Sequence, residues 1–276
     1  MAHHKLKLAI LDMYDGTPNQ GMRCIQDILS DFSQDIDYQV FDVRKKVEIP
    51  DLSFDIFIST GGPGDPREGD GVWDKAWSVW LENIYQYNKT VAAKRRKHVF
   101  FICHSFQMAC LHFQMASITA RKSMSFGTFP VYLTHEGCEE NIFEALANPF
   151  YIADFRHFQV VQPDEAIFKS MKAKILAKEK PRPHVPLERA LMAVRFSKEI
   201  IGTQFHPEAD GDGMLVWFQQ EDKKHQVIAE HGEERYASMI ADLSDQSKIE
   251  YTQRVILPTF LRTAVEALQK NILELV

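Results

Sequence analysis

Cys103 lies in the run KHVFFICHSFQMAC, and far along the chain the run GTQFHPE carries His206 and Glu208. A cysteine, a histidine and an acid in that order can supply a nucleophile, its base and the group that orients the base. A thiol attacks only as thiolate, so its surroundings must favour negative charge. The apolar run HVFFI ends at Ile102, and a helix over Ser105–Phe113 is expected to start directly after Cys103. That places Cys103 in a sharp strand-to-helix turn, its sulfur facing the unpaired N–H groups of a helix N-terminus. The main-chain N–H of His104 would then point to where an oxyanion forms when a carbonyl is attacked. A second donor must come from another loop, and Gly62 in STGGPGDP (Ser59 to Pro66) suits it, because glycine lets the backbone approach a substrate closely. Pro207 favours an extended His206, and residues two apart in an extended segment project to one side, so Glu208 can hold the imidazole.

The elements that must position these residues are legible in the hydrophobic pattern. LKLAILDM (6–13), DYQVFDV (37–43), FDIFIST (54–60) and HVFFI (98–102) read as strands, the first ended by the turn residues Asp15, Gly16 and Pro18. Between them, Met22, Ile25, Ile28, Leu29 and Phe32 form one helical stripe. Trp73, Trp77, Trp80, Leu81 and Ile84 form another, with the tryptophans expected in the core. Strands apolar on both faces that alternate with helices predict an α/β fold. Its sheet is mostly parallel, flavodoxin-like, with helices on both faces. Active sites of such sheets lie beyond the carboxyl ends of the strands, where Thr60 and Ile102 fall. After Met115 the segments TFPVYLTH, DFRHFQVVQ, RALMAVRF and EIIGTQF are extended, the last two forming a hairpin through Ser197 and Lys198. KRRK (94–97) reads as a solvated loop. Beyond Gly213 the chain reads as helical, ending in an amphipathic helix over 258–274 with Pro258 in its first turn and Leu261, Ala264, Val265, Leu268 and Ile272 on one face. The expected division is a domain over 1–215 and a helical extension over 216–276 packed on it.

The bulk composition excludes several classes. With 45% apolar and 25% charged residues, the 276-residue chain has the balance of an ordinary soluble globular protein. A net charge of −6 offers no attraction for nucleic acid or an anionic membrane surface. No apolar run approaches a transmembrane length, and MAHHKLK lacks a signal-peptide core. Four cysteines (24, 103, 110, 138) form neither a disulfide framework nor a zinc-ligand spacing, which fits a reducing cytoplasmic setting.

From Leu6 to Glu208 the sequence resembles the class I glutamine amidotransferases, the triad glutaminase domains of GMP synthetase, carbamoyl-phosphate synthetase and their relatives. TGGPGDP resembles the family's oxyanion segment and ICHSFQ its nucleophile motif, while GTQFHPE matches its His-Pro-Glu segment without departure. FRHFQVV, with His157, resembles the segment that lines the glutamine pocket. The resemblance implies a thioester mechanism with Cys103, His206 and Glu208 as the catalytic residues and Gly62 and His104 as oxyanion donors. Gly64, Gln107, Arg156, His157 and Phe158 would lie beside the substrate. It implies no metal or organic cofactor. The substrate would be glutamine or a γ-glutamyl compound, and a separate ammonia-accepting synthetase subunit would be the partner; a homo-oligomer is also compatible.

The sequence departs from the family pattern near the site. Where the nucleophile motif has glycine two residues before and two after the cysteine, this chain has Phe101 and Ser105. Ser105 is small, but Phe101 is bulky beside a strained turn. Phe158 stands where relatives have glycine, and Arg156 replaces a small polar residue. Arg156 is read either as a binder of a substrate carboxylate or as a surface arginine paired with an acid. Three functions therefore compete: glutamine hydrolysis that delivers ammonia to another chain, hydrolysis of γ-glutamyl amides or peptides, and a catalytically silent binding role.

Overall fold

A computed structural model of the protein describes residues 5–17, 19–184 and 187–269; Pro18 of the expected first turn and Ile272 of the expected last stripe lie outside the described residues. The strands are β1 (Leu6–Asp12), β2 (Ile36–Asp42), β3 (Ile56–Ser59), β4 (His98–Ile102), β5 (Ser117–Leu133), β6 (Phe150–Val161), β7 (Lys174–Glu179), β8 (Leu191–Arg195) and β9 (Ile200–Thr203). They form one sheet in the order β2-β1-β3-β4-β9-β8-β7-β5-β6. From β2 to β9 every pairing is parallel, and from β9 to β6 every pairing is antiparallel. The expected α/β sheet is thus the half that carries β1 to β4, with the strand order of a doubly wound flavodoxin-like fold.

Both faces of this half are apolar because helices cover both. Leu8, Ile10, Ile56, Ile58, Phe100 and Ile102 share one core with the helices Gly21–Ser30 and Ile249–Gln269. Their neighbours in the strands, Ala9, Leu11, Phe57, Val99 and Phe101, share a second core with the helices Trp73–Thr90 and His104–His112. Trp73, Trp77 and Trp80 are buried there, as their spacing predicts.

The antiparallel half contains the expected hairpin, closed by main-chain N–H groups of Phe196 and Ser197 that donate to the Ile200 carbonyl. It also contains β7, which the pattern of KILAKE hides. Register shifts on both sides of Ala177 break the alternation, and half of its six residues are charged. Beyond residue 210 the helices Gly211–Phe218, Glu221–His231 and Glu233–Leu243 cover this half through a third core of Phe218, Val227, Met239 and Leu243 against Phe126 and Phe155.

Two expectations need correction. The last helix starts at Ile249 and not near Pro258, which sits inside it, so the proline removes one main-chain N–H from a helix held by its buried stripe. KRRK is only partly solvated. Lys94 and Arg95 are exposed, but Lys97 is buried, with Nζ 3.3 Å from Asp55 and its main chain bonded to the Asn88 side chain. Among the described residues no helix is long and apolar enough to cross a membrane, and all four cysteines are free.

Candidate active site

β4 delivers Cys103 to the carboxyl edge of the sheet, and the helix His104–His112 leaves from it at once. The turn between them forces Cys103 to φ 48° and ψ −99°. For a residue with a side chain, such a conformation costs on the order of 1–3 kcal/mol and persists only where surrounding bonds enforce it. Those bonds are present. The Cys103 N–H donates to the Thr203 carbonyl at 2.8 Å, and its carbonyl accepts from the Gln107 N–H at 3.0 Å. Ser105 adds a tie of its own, since its hydroxyl donates to the Ser59 carbonyl at 2.6 Å and accepts from the Ile102 N–H at 3.1 Å. Phe101 causes no crowding at the turn. Its ring is buried against Trp77, Trp80 and Phe196, and its register partner on β9 is Gly202. A Cβ on Gly202 would lie 2.9 Å from the Cβ of Phe101, so the space missing at position 101 is recovered from the neighbouring strand.

β9 leads into His206 and Glu208 beside this turn. The His206 N–H donates to the Ala153 carbonyl of β6, and Nδ1 of the imidazole is 2.8 Å from Glu208 Oε1. The other edge of the ring faces Gly61. A Cβ there would lie 2.7 Å from His206 Cε1 and 3.6 Å from both His206 Nε2 and Cys103 Cβ, so glycine is what lets the imidazole and the thiol-bearing carbon meet. Burial alone would lower the pKa of His206. The charges of Glu208 and Cys103, with hydrogen bonds to both, outweigh it and hold the imidazole well above its ordinary value. Glu208 is buried, and its Oε2 has no hydrogen-bond partner among the described residues. Tyr14 lies next to it: a Cβ on Gly21 would be 2.2 Å from the Tyr14 hydroxyl and 3.1 Å from Glu208 Oε1. Burial, then the negative charges of Glu208 and Cys103, push this phenol well up, so it stays neutral.

The glycine-rich loop closes the site from β3. A Cβ on Gly62 would lie 2.2 Å from the Met13 carbonyl oxygen, a backbone atom that cannot step aside. Gly64 has φ +93°, and Arg44 fastens the loop by donating to the Pro63 carbonyl at 2.6 Å. Farther along, the Arg67 guanidinium pairs with Asp65 and lies over the Phe158 ring at 5.1 Å. His104 is buried beside this loop. Burial, then the nearby Arg44, brings its pKa down to about 4 against a smaller opposing pull from Asp65, so no positive side chain competes at residue 104.

The expected substrate-side residues are placed unequally. Gln107 is buried, and its amide nitrogen donates to the Phe158 carbonyl at 3.2 Å and to Gln204 Oε1 at 3.0 Å. Arg156 is not at the surface. It is 3% exposed, with Nε 3.0 Å from Asp154, one terminal nitrogen 2.6 Å from Glu179 and the other donating to the Phe158 carbonyl. A substrate carboxylate would have to displace these partners. His157, on the opposite side of β6, is exposed. Gly61 and Gln204 join the site without having been singled out. Gln204 places its amide nitrogen 3.8 Å from the Cys103 sulfur. The signal for both was their position inside the two motifs, one residue from Gly62 and two from His206. Among the described residues no group of three or more His, Cys, Asp or Glu is placed to hold a metal ion.

Residues 11–214 match the family model described as glutamine amidotransferase class-I. The chain belongs to that family. Solved structures of similar fold include a glutamine amidotransferase from Thermotoga maritima at 16% identity and TM-score 0.69, covering 96% of this chain and 100% of the other. A glutamine amido transferase from Methylobacillus flagellatus follows at 13% identity and TM-score 0.67, covering 96% of each. A putative GMP synthase protein from Thermoplasma acidophilum aligns at 19% identity and TM-score 0.54, covering 75% of this chain and 87% of its own. No curated protein matches the sequence. The two amidotransferase structures that cover 96% of this chain extend beyond the family segment, into the C-terminal helices.

Proposed function

We propose that the protein hydrolyses the side-chain amide of glutamine through a Cys103 thioester. The observation that carries this reading is the convergence of the Cys103 turn and the His206 ring on Gly61, with His206 Nδ1 2.8 Å from Glu208. In the first half-reaction the Cys103 sulfur attacks the amide carbon, forming the C–S bond, and the oxyanion is met by main-chain N–H groups of Gly62 and His104. His206 gives a proton to the departing nitrogen as the C–N bond breaks, which releases ammonia and leaves the γ-glutamyl thioester. In the second, His206 takes a proton from water as it attacks the thioester; the C–S bond breaks and glutamate leaves. Glu208 holds the imidazole through Nδ1, so that Nε2 does the proton transfer. The ammonia acceptor in this reading is an enzyme on another chain.

The experiment is reaction with an electrophilic glutamine analogue, followed by peptide mapping and by turnover of glutamine against γ-glutamyl dipeptides. Labelling should fall on Cys103. Burial, followed by the charge of Glu208, raises the Cys24 thiol to about 11, and burial raises Cys110 further, so both stay protonated. Cys103→Ser should keep the fold and lose turnover. Turnover retained in that variant, or labelling no faster at Cys103 than at the exposed Cys138, would overturn the reading.

A further inference from the structure

β4 begins at His98, five residues before Cys103, so its first residue marks the opposite edge of the sheet, about 16 Å away at the usual rise per strand residue. A cavity of about 780 Å³ opens there, lined by His98 and by residues of β7, β8 and the last helix. Its charge is opposite to that of the molecule. Lys94, Lys172, Lys174, Arg195 and Lys198 line it against two acids, Glu140 and Glu199, while the whole chain carries −6. Both acids are already engaged, Glu140 with Arg195 and Glu199 with Arg96. The four lysines have no ion-pair partner among the described residues.

Two features of this edge favour an anion in the cavity. Lys174 stands directly opposite Arg195 on the antiparallel strands β7 and β8, and because Glu140 already takes the charge of Arg195, Lys174 is left as an exposed cation without a counter-ion among the described residues. His98 is 7% exposed, and its Nε2 is buried without a hydrogen-bond partner among the described residues. A buried polar atom left unpaired in a native fold calls for a ligand, water or ion. Burial, then the charges of Arg195 and Lys198, depress this histidine to about 4 against a weaker pull from Asp55. An anion in the cavity would offset the part of that depression that the cations cause and would screen the lysines from one another. Ile142, Met171 and Phe260 supply an apolar wall beside the cations.

We infer that this cavity is a binding site for a small organic phosphate, held by the lysines, with its apolar part against Phe260 and its charge beside His98. The site stands apart from the amide chemistry at Cys103 and does not depend on it. Lysine suits such a ligand as a mobile point charge, and a cleft of one sign concentrates ions of the other.

The test is calorimetric titration of the full chain with inorganic phosphate, pyrophosphate and phenyl phosphate. It is paired with nitrogen-15 imidazole spectra in which the His98 signal is assigned by its loss in His98→Gln. Saturable binding that moves the His98 signal is expected, with phenyl phosphate tighter than phosphate. The exposed double variant Lys172→Ala, Lys174→Ala should weaken it by about tenfold or more without unfolding the protein. No saturable heat at millimolar ligand would overturn the assignment. So would binding that leaves the His98 signal unmoved or survives the double variant, because the anion would then sit elsewhere.

Discussion

Gly61→Ala isolates catalytic geometry from stability. The residue has no positive φ, so alanine fits the backbone, and a substitution of this kind at a compatible site stabilises by roughly 0.4–1 kcal/mol through the unfolded chain. The added methyl would stand 2.7 Å from His206 Cε1, whereas carbon atoms in contact prefer about 3.5–4.0 Å. The imidazole must therefore retreat by about 1 Å from the Cys103 side, against its 2.8 Å bond to Glu208. A displacement of this size at a reacting group lowers the rate on the order of 100-fold, about 3 kcal/mol in the barrier. Steady-state glutamine hydrolysis should show the loss in kcat with KM nearly unchanged, while thermal unfolding moves little, the backbone gain being offset by the cost of displacing the ring. A variant with an intact fold and undiminished kcat would refute the placement of the ring against Gly61. A parallel fall in Tm would mean that the glycine serves packing instead.

Arg156→Met should be severely destabilising, by about 3–5 kcal/mol in urea denaturation, because it strands Asp154 in the interior without its cation and takes one of three arginines from Glu179. Burial alone would raise Glu179, but Arg156, Arg121 and Arg182 hold it below the usual carboxylate range. A lowered carboxylate stabilises above its unfolded value and loses that contribution as pH falls through the folded value, so the variant should also unfold at a higher pH on acidification. The opposite sign applies at His206. Its raised pKa contributes stability that is fully present below about 6.5 and is lost as pH rises through the folded value. Glu208→Gln removes the main raising charge, so the stability gap between it and the parent should narrow toward alkaline pH; a constant gap across a pH series would contradict the assignment.

The parallel half of the fold was legible because strands covered on both faces must be apolar throughout, and LKLAILDM, FDIFIST and HVFFI are. β7 was not, since shifts in register around Ala177 and its charged residues erase the two-residue period. The site divides in the same way. Cys103, His206 and Glu208 each follow an apolar strand, and their motifs are continuous in sequence, so they were legible as residues; their meeting rests on β4 and β9 being neighbours in the sheet. The roles of Gly61 and Gln204 depend on which atoms face them across the sheet. Arg156 illustrates the limit: nothing in FRHFQVV reveals that Asp154 and Glu179 neutralise it within the interior. Phe101 illustrates another, for the clash expected at a bulky residue disappears once Gly202 is seen beside it on β9. Pro258 reads locally as a helix start, yet the apolar stripe on both sides of it, from Ile249 to Leu268, carries the helix through.

The helix Ile249–Gln269 gives the segment after residue 214 a standing that a family boundary conceals. Ile256, Leu257, Phe260, Leu261, Ala264 and Val265 fill the same core as Ile10, Phe100 and Ile102, and Gln253 donates to the carbonyl of Glu208. A fragment trimmed to the shared family segment would lose one of the two helices that cover this side of the central strands and release the backbone that carries the acid. The tail is therefore a wall behind the proposed triad, and a change in its seating would be passed directly to the strands that carry Cys103 and to the backbone of Glu208.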